Sequence, residues 1–218
     1  MANLAEKLLN DQDRKKIENA VKEAEKYTSG EIVPMVVSRS YHYPMSDVIG
    51  GFVFAFPISL IMTYFVGGWL WIGDFNLWLF LGIITALFIL FHQIIKRTTG
   101  LKRLLISDRE IEEEVEEAAT TSFFHKGLYR TRDETGILIF ISVFERKVWV
   151  LADRGINEKV RQGQWDEIVR MIVEGIKNKN QADAICEAID EMGRILKEHF
   201  PIKADDTNEL KNLIIEGE

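Results

Sequence analysis

Between Val48 and Ile95 the chain carries a single formal charge, Asp74, whereas Lys, Arg, Asp and Glu crowd the sequence on either side. The apolar block divides at Gly73-Asp74 into two stretches, about 48–72 and 75–95, each close to the roughly 20 residues a helix needs to cross a hydrocarbon core. This pattern predicts a transmembrane helical hairpin within residues 46–97, and the very short connection makes its arms antiparallel neighbours. A hairpin buried in a soluble protein is the alternative. The rest of the chain, however, is too short and too polar to enclose two helices that are apolar all round.

The flanks predict an orientation. Lys96, Arg97, Lys102 and Arg103 follow the second arm, Arg39 precedes the first, and the connection carries no positive charge. By the positive-inside rule both termini are expected in the cytoplasm, on a multi-pass protein of the cytoplasmic (inner) membrane. Trp69, Trp71 and Trp78 surround the connection, while Tyr41 and Tyr43 lie near the other interface, where amphipathic rings favour the headgroup layer. Three pairs at four-residue spacing, Gly51/Ala55, Ser59/Thr63 and Gly82/Ala86, predict close helix packing. Pro57 predicts a kink. His92 and Asp74 are the ionisable groups in the block, and two helices enclose no pore. An ion pathway therefore requires oligomerisation.

Outside the block the polar pattern changes period. Residues 10–27 read as an amphipathic helix capped at Asn10 or Asp11, with Ile17, Ala20, Val21 and Ala24 on one face. Glu31 to Ser38 reads as a strand, placed at an edge or bulge because Pro34 cannot donate to a ladder. A glutamate-rich helix is expected over 107–121. The runs GILIFISV (136–143) and KVWVLA (147–152) predict a β-hairpin covered on both faces. Two helices follow, one with Trp165, Ile168, Val169, Ile172 and Ile176 on its face, the other with Ala182, Ile185, Ile189, Met192 and Leu196. Lys203 onward reads as a polar tail with one apolar anchor, Leu213-Ile214-Ile215. The expected fold is α/β: a small mixed-sheet sandwich, split into residues 1–45 and 98–202, interrupted by the transmembrane hairpin and followed by the tail 203–218.

Acidic residues outnumber basic ones, 34 to 27, for a formal charge of −7, and no basic patch is interleaved with aromatics. Nucleic acid is not an expected partner. The one cysteine, Cys186, excludes an internal disulfide or a CxxC metal site and sits in an apolar helical pattern. The opening MANLAEKLLNDQDRKK lacks the charged start, apolar run and cleavage site of a signal peptide, so insertion is expected to use the internal hairpin.

The order helix, SGEIVPMVVS, TRDETGILIFISVFER, WDEI, EHFP with NEL nearby resembles the TPM domain family. It resembles most the bacterial membrane members in which a two-helix segment splits the domain. That resemblance implies a layered α/β domain with a mixed sheet. Some members of the family resemble acid phosphatases, some bind calcium through carboxylates at one sheet end, and others are accessory factors of membrane complexes. Asp133 matches the family's acidic residue before the GxL strand, and Arg146 its turn arginine. Where many members carry GxGxE and a later LxD, this chain has Asp153-Arg154-Gly155-Ile156-Asn157-Glu158, a departure that weighs against calcium binding and phosphatase activity.

The residues themselves offer one candidate site. Asp133 and Glu134 precede the first strand of the hairpin and Asp153 and Glu158 follow the second, so in an antiparallel pair they lie at the same end. Asp133 and Asp153 are the candidate ligands for Ca²⁺ or Mg²⁺; otherwise these carboxylates solvate loop ends and pair with Arg130, Arg132 or Arg154. Glu110, Glu113, Glu114 and Glu117 share a helix face and read as a solvated surface. His125 has no nearby nucleophile motif, and no Walker, GxGxxG, HExxH or GxSxG signature occurs. The expectation is a membrane-anchored accessory or interaction protein acting at the cytoplasmic membrane face, without enzymatic activity, associating with other membrane proteins or with further copies of itself. The alternative is a metal-dependent phosphomonoester hydrolase using Asp133 and Asp153.

Overall fold

The computed structural model describes residues 3–73, 76–161, 163–202 and 209–217. Asp74, the asparagine of the NEL motif (Asn208) and the first part of the tail, residues 203–208, lie outside the described residues. The chain forms two units, residues 1–41 with 112–218, and residues 42–111. In the first unit lie α1 (Leu4–Leu8), α2 (Asp11–Glu25) and β1 (Glu31–Val37). The second unit holds α3 (Pro44–Trp69), α4 (Leu77–Arg97) and α5 (Thr99–Leu104), and α6 (Asp108–His125) leads back out of it. The first is completed by β2 (Gly136–Ser142), β3 (Lys147–Ala152), α7 (Arg154–Asn157), α8 (Gln164–Lys177), α9 (Gln181–His199) and β4 (Ile214–Glu216).

Local chemistry sets the ends of α2. The Asn10 side-chain oxygen accepts from the backbone N–H groups of Gln12 and Asp13 at 2.8 and 2.9 Å, while the Asp13 carboxylate accepts from the Asn10 N–H at 3.1 Å. This reciprocal box satisfies donors that a helix start leaves orphaned. Ile17, Val21 and Ala24 are the buried face. Ala24 lies so close to α9 that a Cβ on Gly193 would stand 2.9 Å from its methyl.

The sheet has the order β3-β2-β1-β4. β1 runs parallel to both β2 and β4, and β2 runs antiparallel to β3. The edge placement expected for β1 is therefore corrected: β1 is central. The Glu31 N–H donates to Thr135 toward β2, and the Ser38 N–H donates to Glu216 toward β4. Successive residues alternate between the two neighbours, so Pro34 faces the β4 side. Pairing there begins only at Met35 opposite Ile214, and the missing proline donor costs no ladder bond.

Period-two alternation gives the sheet two buried faces. Ile32, Val36, Ile137, Ile139, Ile141 and Val148 join a core with α1, α2, α8 and α9. Val33, Met35, Leu138 and Phe140 point to the other face and are equally buried. On α6, Val115, Ala119 and Phe123 are buried at four-residue spacing. The helix is pinned to one edge strand by the Lys147–Glu112 ion pair at 2.6 Å and to the other by Lys126–Glu216. The result is a layered α/β fold around a mixed sheet. Full cover extends to β2; β3, at the edge, is only half-buried over most of its length, which corrects the expectation that both hairpin strands are covered on both faces. The apolar anchor of the tail supplies β4.

In the second unit α3 and α4 are both long and apolar enough to cross a membrane. α3 remains helical through Pro57. Its buried positions Gly51, Ala55, Ser59, Thr63 and Gly67 recur every four residues, and a Cβ on Gly51 would meet Phe88 at 3.2 Å and His92 at 3.4 Å. Gly51 on α3 thus receives Phe88 and His92 from α4. The Gly82/Ala86 pair expected at this contact is exposed instead, with nothing within 4 Å of a Cβ at Gly82. Tyr43, expected at an interface, is buried: it takes a left-handed conformation (φ 48°) immediately before the Pro44 helix start. Trp69, Trp71 and Trp78 are widely exposed.

The close packing of the β2 start gives a direct test. A Cβ at Gly136 would stand 2.4 Å from the Leu128 carbonyl oxygen, whereas one at Gly100 meets nothing within 4 Å. Gly136→Ala is expected to destabilise the first unit by about 1–3 kcal/mol through overpacking, while Gly100→Ala leaves its thermal unfolding unchanged. Differential scanning calorimetry of the two variants beside wild type distinguishes them.

Candidate functional site

The loops before β2 and after β3 meet at one end of the sheet. The Thr131 hydroxyl oxygen accepts the Thr135 N–H at 2.9 Å, and the Thr135 hydroxyl donates to the Ser29 carbonyl at 2.9 Å. These bonds fix a turn in which Glu134 adopts a left-handed conformation, φ 55°. Asp133 inside the turn is half-buried.

Asp153 closes the opposite loop. Its N–H donates to the Gly136 carbonyl at 2.8 Å, and one carboxylate oxygen accepts the Arg154 N–H at 2.7 Å as the cap of α7. The other oxygen, Oδ2, is buried with no hydrogen-bond partner. Asn157 donates its side-chain amide to the Ala152 carbonyl at 2.7 Å and holds the short helix against the strand end. Gly155 makes the approach possible. A Cβ there would stand 2.7 Å from the Glu134 carbonyl oxygen and 2.9 Å from that of Asp133.

The structure thus places the Asp133 and Asp153 loops in direct backbone contact. Glu134 is exposed, and Glu158 is drawn off into an ion pair with Arg154 at 2.8 Å. Hydrogen bonding to Glu158, with the charges of Glu158 and Glu134, holds the Arg154 guanidinium above its ordinary pKa. Arg154 therefore neutralises part of the acidic rim. Arg132 donates its N–H to Glu209 at 3.0 Å.

The donor set is small. Among the described residues no group of three or more His, Cys, Asp or Glu gathers as a metal cage requires, and this includes the acidic face of α6. Calcium takes about six to eight oxygens, whereas magnesium keeps several waters and is held by one or two carboxylates. What the two loops bring to this end of the sheet is the half-buried Asp133, the unpartnered Oδ2 of Asp153 and the Asp133 and Glu134 carbonyls beside Gly155.

Other expected candidates lie elsewhere. His125 ends α6, and Cys186 is half-buried on α9, where burial raises its thiol pKa and Asp190 and Asp183 add to the effect against the opposing pull of Lys16. It reads as packing. His92 stacks on Phe88, ring centroids 5.9 Å apart, with its Nδ1 buried and unpartnered.

Three charged side chains, Lys102, Asp47 and Glu145, are buried in a way that sequence reasoning did not show, and one of them, Lys102, was counted there only as a flanking positive charge. Lys102 donates to Asp47 Oδ2 at 3.0 Å and to the His42 carbonyl at 2.5 Å, the two charged side chains being 7% and 9% exposed. Asp47 directly precedes the apolar block, but nothing in spacing links it to Lys102. Glu145 in the hairpin turn is fully buried, accepting the Ser40 N–H at 3.0 Å and the Ser142 hydroxyl.

Residues 93–195 match the TPM domain family. No curated protein matches the chain. Among solved structures, the NMR structure of the BA42 protein from the psychrophilic bacterium Bizionia argentinensis is similar with a TM-score of 0.56. It is 21% identical, and the alignment covers 96% of this chain and 95% of that one. At that identity the likeness carries the fold.

The cap and the charge of Asp153 separate cleanly. Asp153→Ala is expected to lose about 0.5–2 kcal/mol of stability with the α7 cap, and Asp153→Asn, which still accepts the Arg154 N–H, only a few tenths. Urea unfolding of both variants checks this.

Proposed function

We propose, from the premise that the chain carries a TPM domain over residues 93–195, that it is a membrane-tethered interaction module without enzymatic activity. In this reading α3 and α4 span the cytoplasmic membrane, both termini lie in the cytoplasm, and the α/β unit works beside other membrane proteins or further copies of the chain. One observation carries it. α3 and α4 turn their large apolar side chains outward, Phe65 at 68% and Trp78 at 80% exposure among them. In water that surface carries a penalty of about 25 cal/mol per Å² of apolar area; lipid removes it. Lys96 and Arg97 at the end of α4 support the orientation, and the absence of catalytic motifs from the sequence supports an interaction role.

The reading makes two expectations. Carbonate extraction is expected to leave the full chain in the membrane pellet and to release a variant in which a short linker replaces residues 46–97; release of the full chain would sink the tether. Replacing the hairpin with an unrelated two-helix hairpin is expected to abolish complexes seen on native gels. Unchanged function from a wholly soluble α/β unit would count heavily against the module.

A second reading rests on the buried, unpartnered Oδ2 of Asp153. Asp133 and Asp153, with the carbonyls that meet Gly155, hold a hydrated Mg²⁺. Such an ion, when bound, supplies Lewis-acid polarisation of a phosphoryl oxygen. Saturating Mg²⁺, at roughly a hundred times its Kd, is expected to stabilise wild type by about 2.7 kcal/mol and to leave Asp153→Asn unaffected. Equal stabilisation of both proteins removes the site. Phosphomonoester turnover with Mg²⁺, Mn²⁺ or Ca²⁺, lost in Asp133→Ala, would establish the hydrolase, and no turnover with any of the three would remove it.

A further inference from the structure

At the opposite end of the sheet from Asp133 and Asp153 lies a cavity of about 430 Å³ between the β2–β3 turn and α8. That volume falls in the range of small-molecule sites, about 300–1,000 Å³. Its floor is the cross-strand pair Ile141 and Val148, and its roof is Val173 and Ile176, one helical turn apart on α8. All four belong to or pack against the main core, so the cavity is an apolar recess continuous with the interior.

The rim has the opposite character. Arg146, Lys147 and Lys177 line it, and among the described residues no Asp or Glu does. Lys147 is committed to Glu112 at 2.6 Å. Arg146 and Lys177 have no carboxylate partner among the described residues. Lys177 follows Ile176 on α8, and Arg146 is held at the mouth by the left-handed conformation of the hairpin turn, φ 55°. In a chain of net charge −7, two uncompensated cations over an apolar recess form a local inversion of charge.

We infer that this cavity binds a medium-length aliphatic carboxylate, its chain lying on Ile141, Val148, Val173 and Ile176 and its carboxylate meeting Arg146 and Lys177. Both halves of the recess select it. A neutral aliphatic molecule leaves the two cations unmatched. A multiply charged anion such as a nucleotide sets charge on a floor that offers it no donor. A single carboxylate on an apolar chain satisfies the guanidinium and ammonium as charge-assisted acceptor and displaces water from the apolar wall. This site is independent of the cation reading at the other sheet end.

The test uses the full chain in phospholipid nanodiscs and a diazirine-bearing aliphatic carboxylate as photoprobe. Cross-links are expected within residues 141–148 and 173–177, competed by decanoate and not by decanol. Val173→Trp, which fills the recess, is expected to cut this labelling by about tenfold, as is the double variant Arg146→Glu/Lys177→Glu. The charge variant lies on the surface and keeps the test valid should the tryptophan disturb folding. Labelling confined to residues 44–97, equal competition by decanol, or labelling at 141–148 that survives both variants with unchanged circular dichroism would overturn the inference.

Discussion

The parallel pairing of β1 with β2 is the constraint on which the rest depends. Seven residues of each strand run side by side in register from Glu31 opposite Gly136 to Val37 opposite Ser142. Parallel neighbours cannot be joined by a tight turn; the chain must leave one end of the sheet and return to the other. Residues 38–135 make that journey, and the whole second unit lies within it. A crossover is a tolerant place for such a guest, since each doubling of a flexible connection adds only about 0.6 kcal/mol of closure entropy. The tight β2–β3 turn has no such latitude. β3 and β4 are then added at the two edges, and the ends of the central pair define both the acidic loop contact and the apolar recess.

Buried charge marks the point where the crossover departs and the base of the helical hairpin within it. Glu145 ties the hairpin turn to the Ser40 backbone just after β1, and Lys102 ties the stretch after α4 to Asp47 and the His42 carbonyl at the start of α3. Each is a desolvated ion whose cost is offset by hydrogen bonds in several directions. Removing one partner of such a pair typically costs about 3–5 kcal/mol because the other charge is stranded. Their worth to this chain is geometric: they fix the path of backbone that regular secondary structure does not reach.

Much of this was legible in the sequence, where a local rule governed. The Asn10 cap, the apolar runs of β2 and β3, the faces of α8 and α9 and the two long apolar helices all follow from period and capping chemistry. The misreadings came from rules applied without their partner element. Pro34 suggested an edge because β4, three residues long, read only as an apolar anchor in the tail, and because the parity of a strand shows only once its neighbours are known. Gly82 and Ala86 have the spacing of a packing face, yet they are exposed, and it is Phe88 and His92 that meet Gly51 of the α3 stripe. Tyr43 matched an aromatic belt by position, but the helix start at Pro44 turns it inward. At the candidate site, the shared end of Asp133 and Asp153 followed from hairpin geometry alone. The role of Gly155, which lets one loop rest on the carbonyls of the other, is a close approach that no spacing encodes.

The crossover also fixes an order of events on the ribosome. β1 emerges early and β2 only after both apolar helices, so the central strand of the sheet waits without its partner while the most aggregation-prone part of the chain is synthesised. The contacts within α2 are local, whereas the non-local strand pairing must await the return of the chain. The exposed edges of β1 during that interval are a surface on which chaperones or wrong strands compete. Completion of the α/β unit therefore waits on synthesis of the hairpin, because both apolar helices precede β2 in the chain.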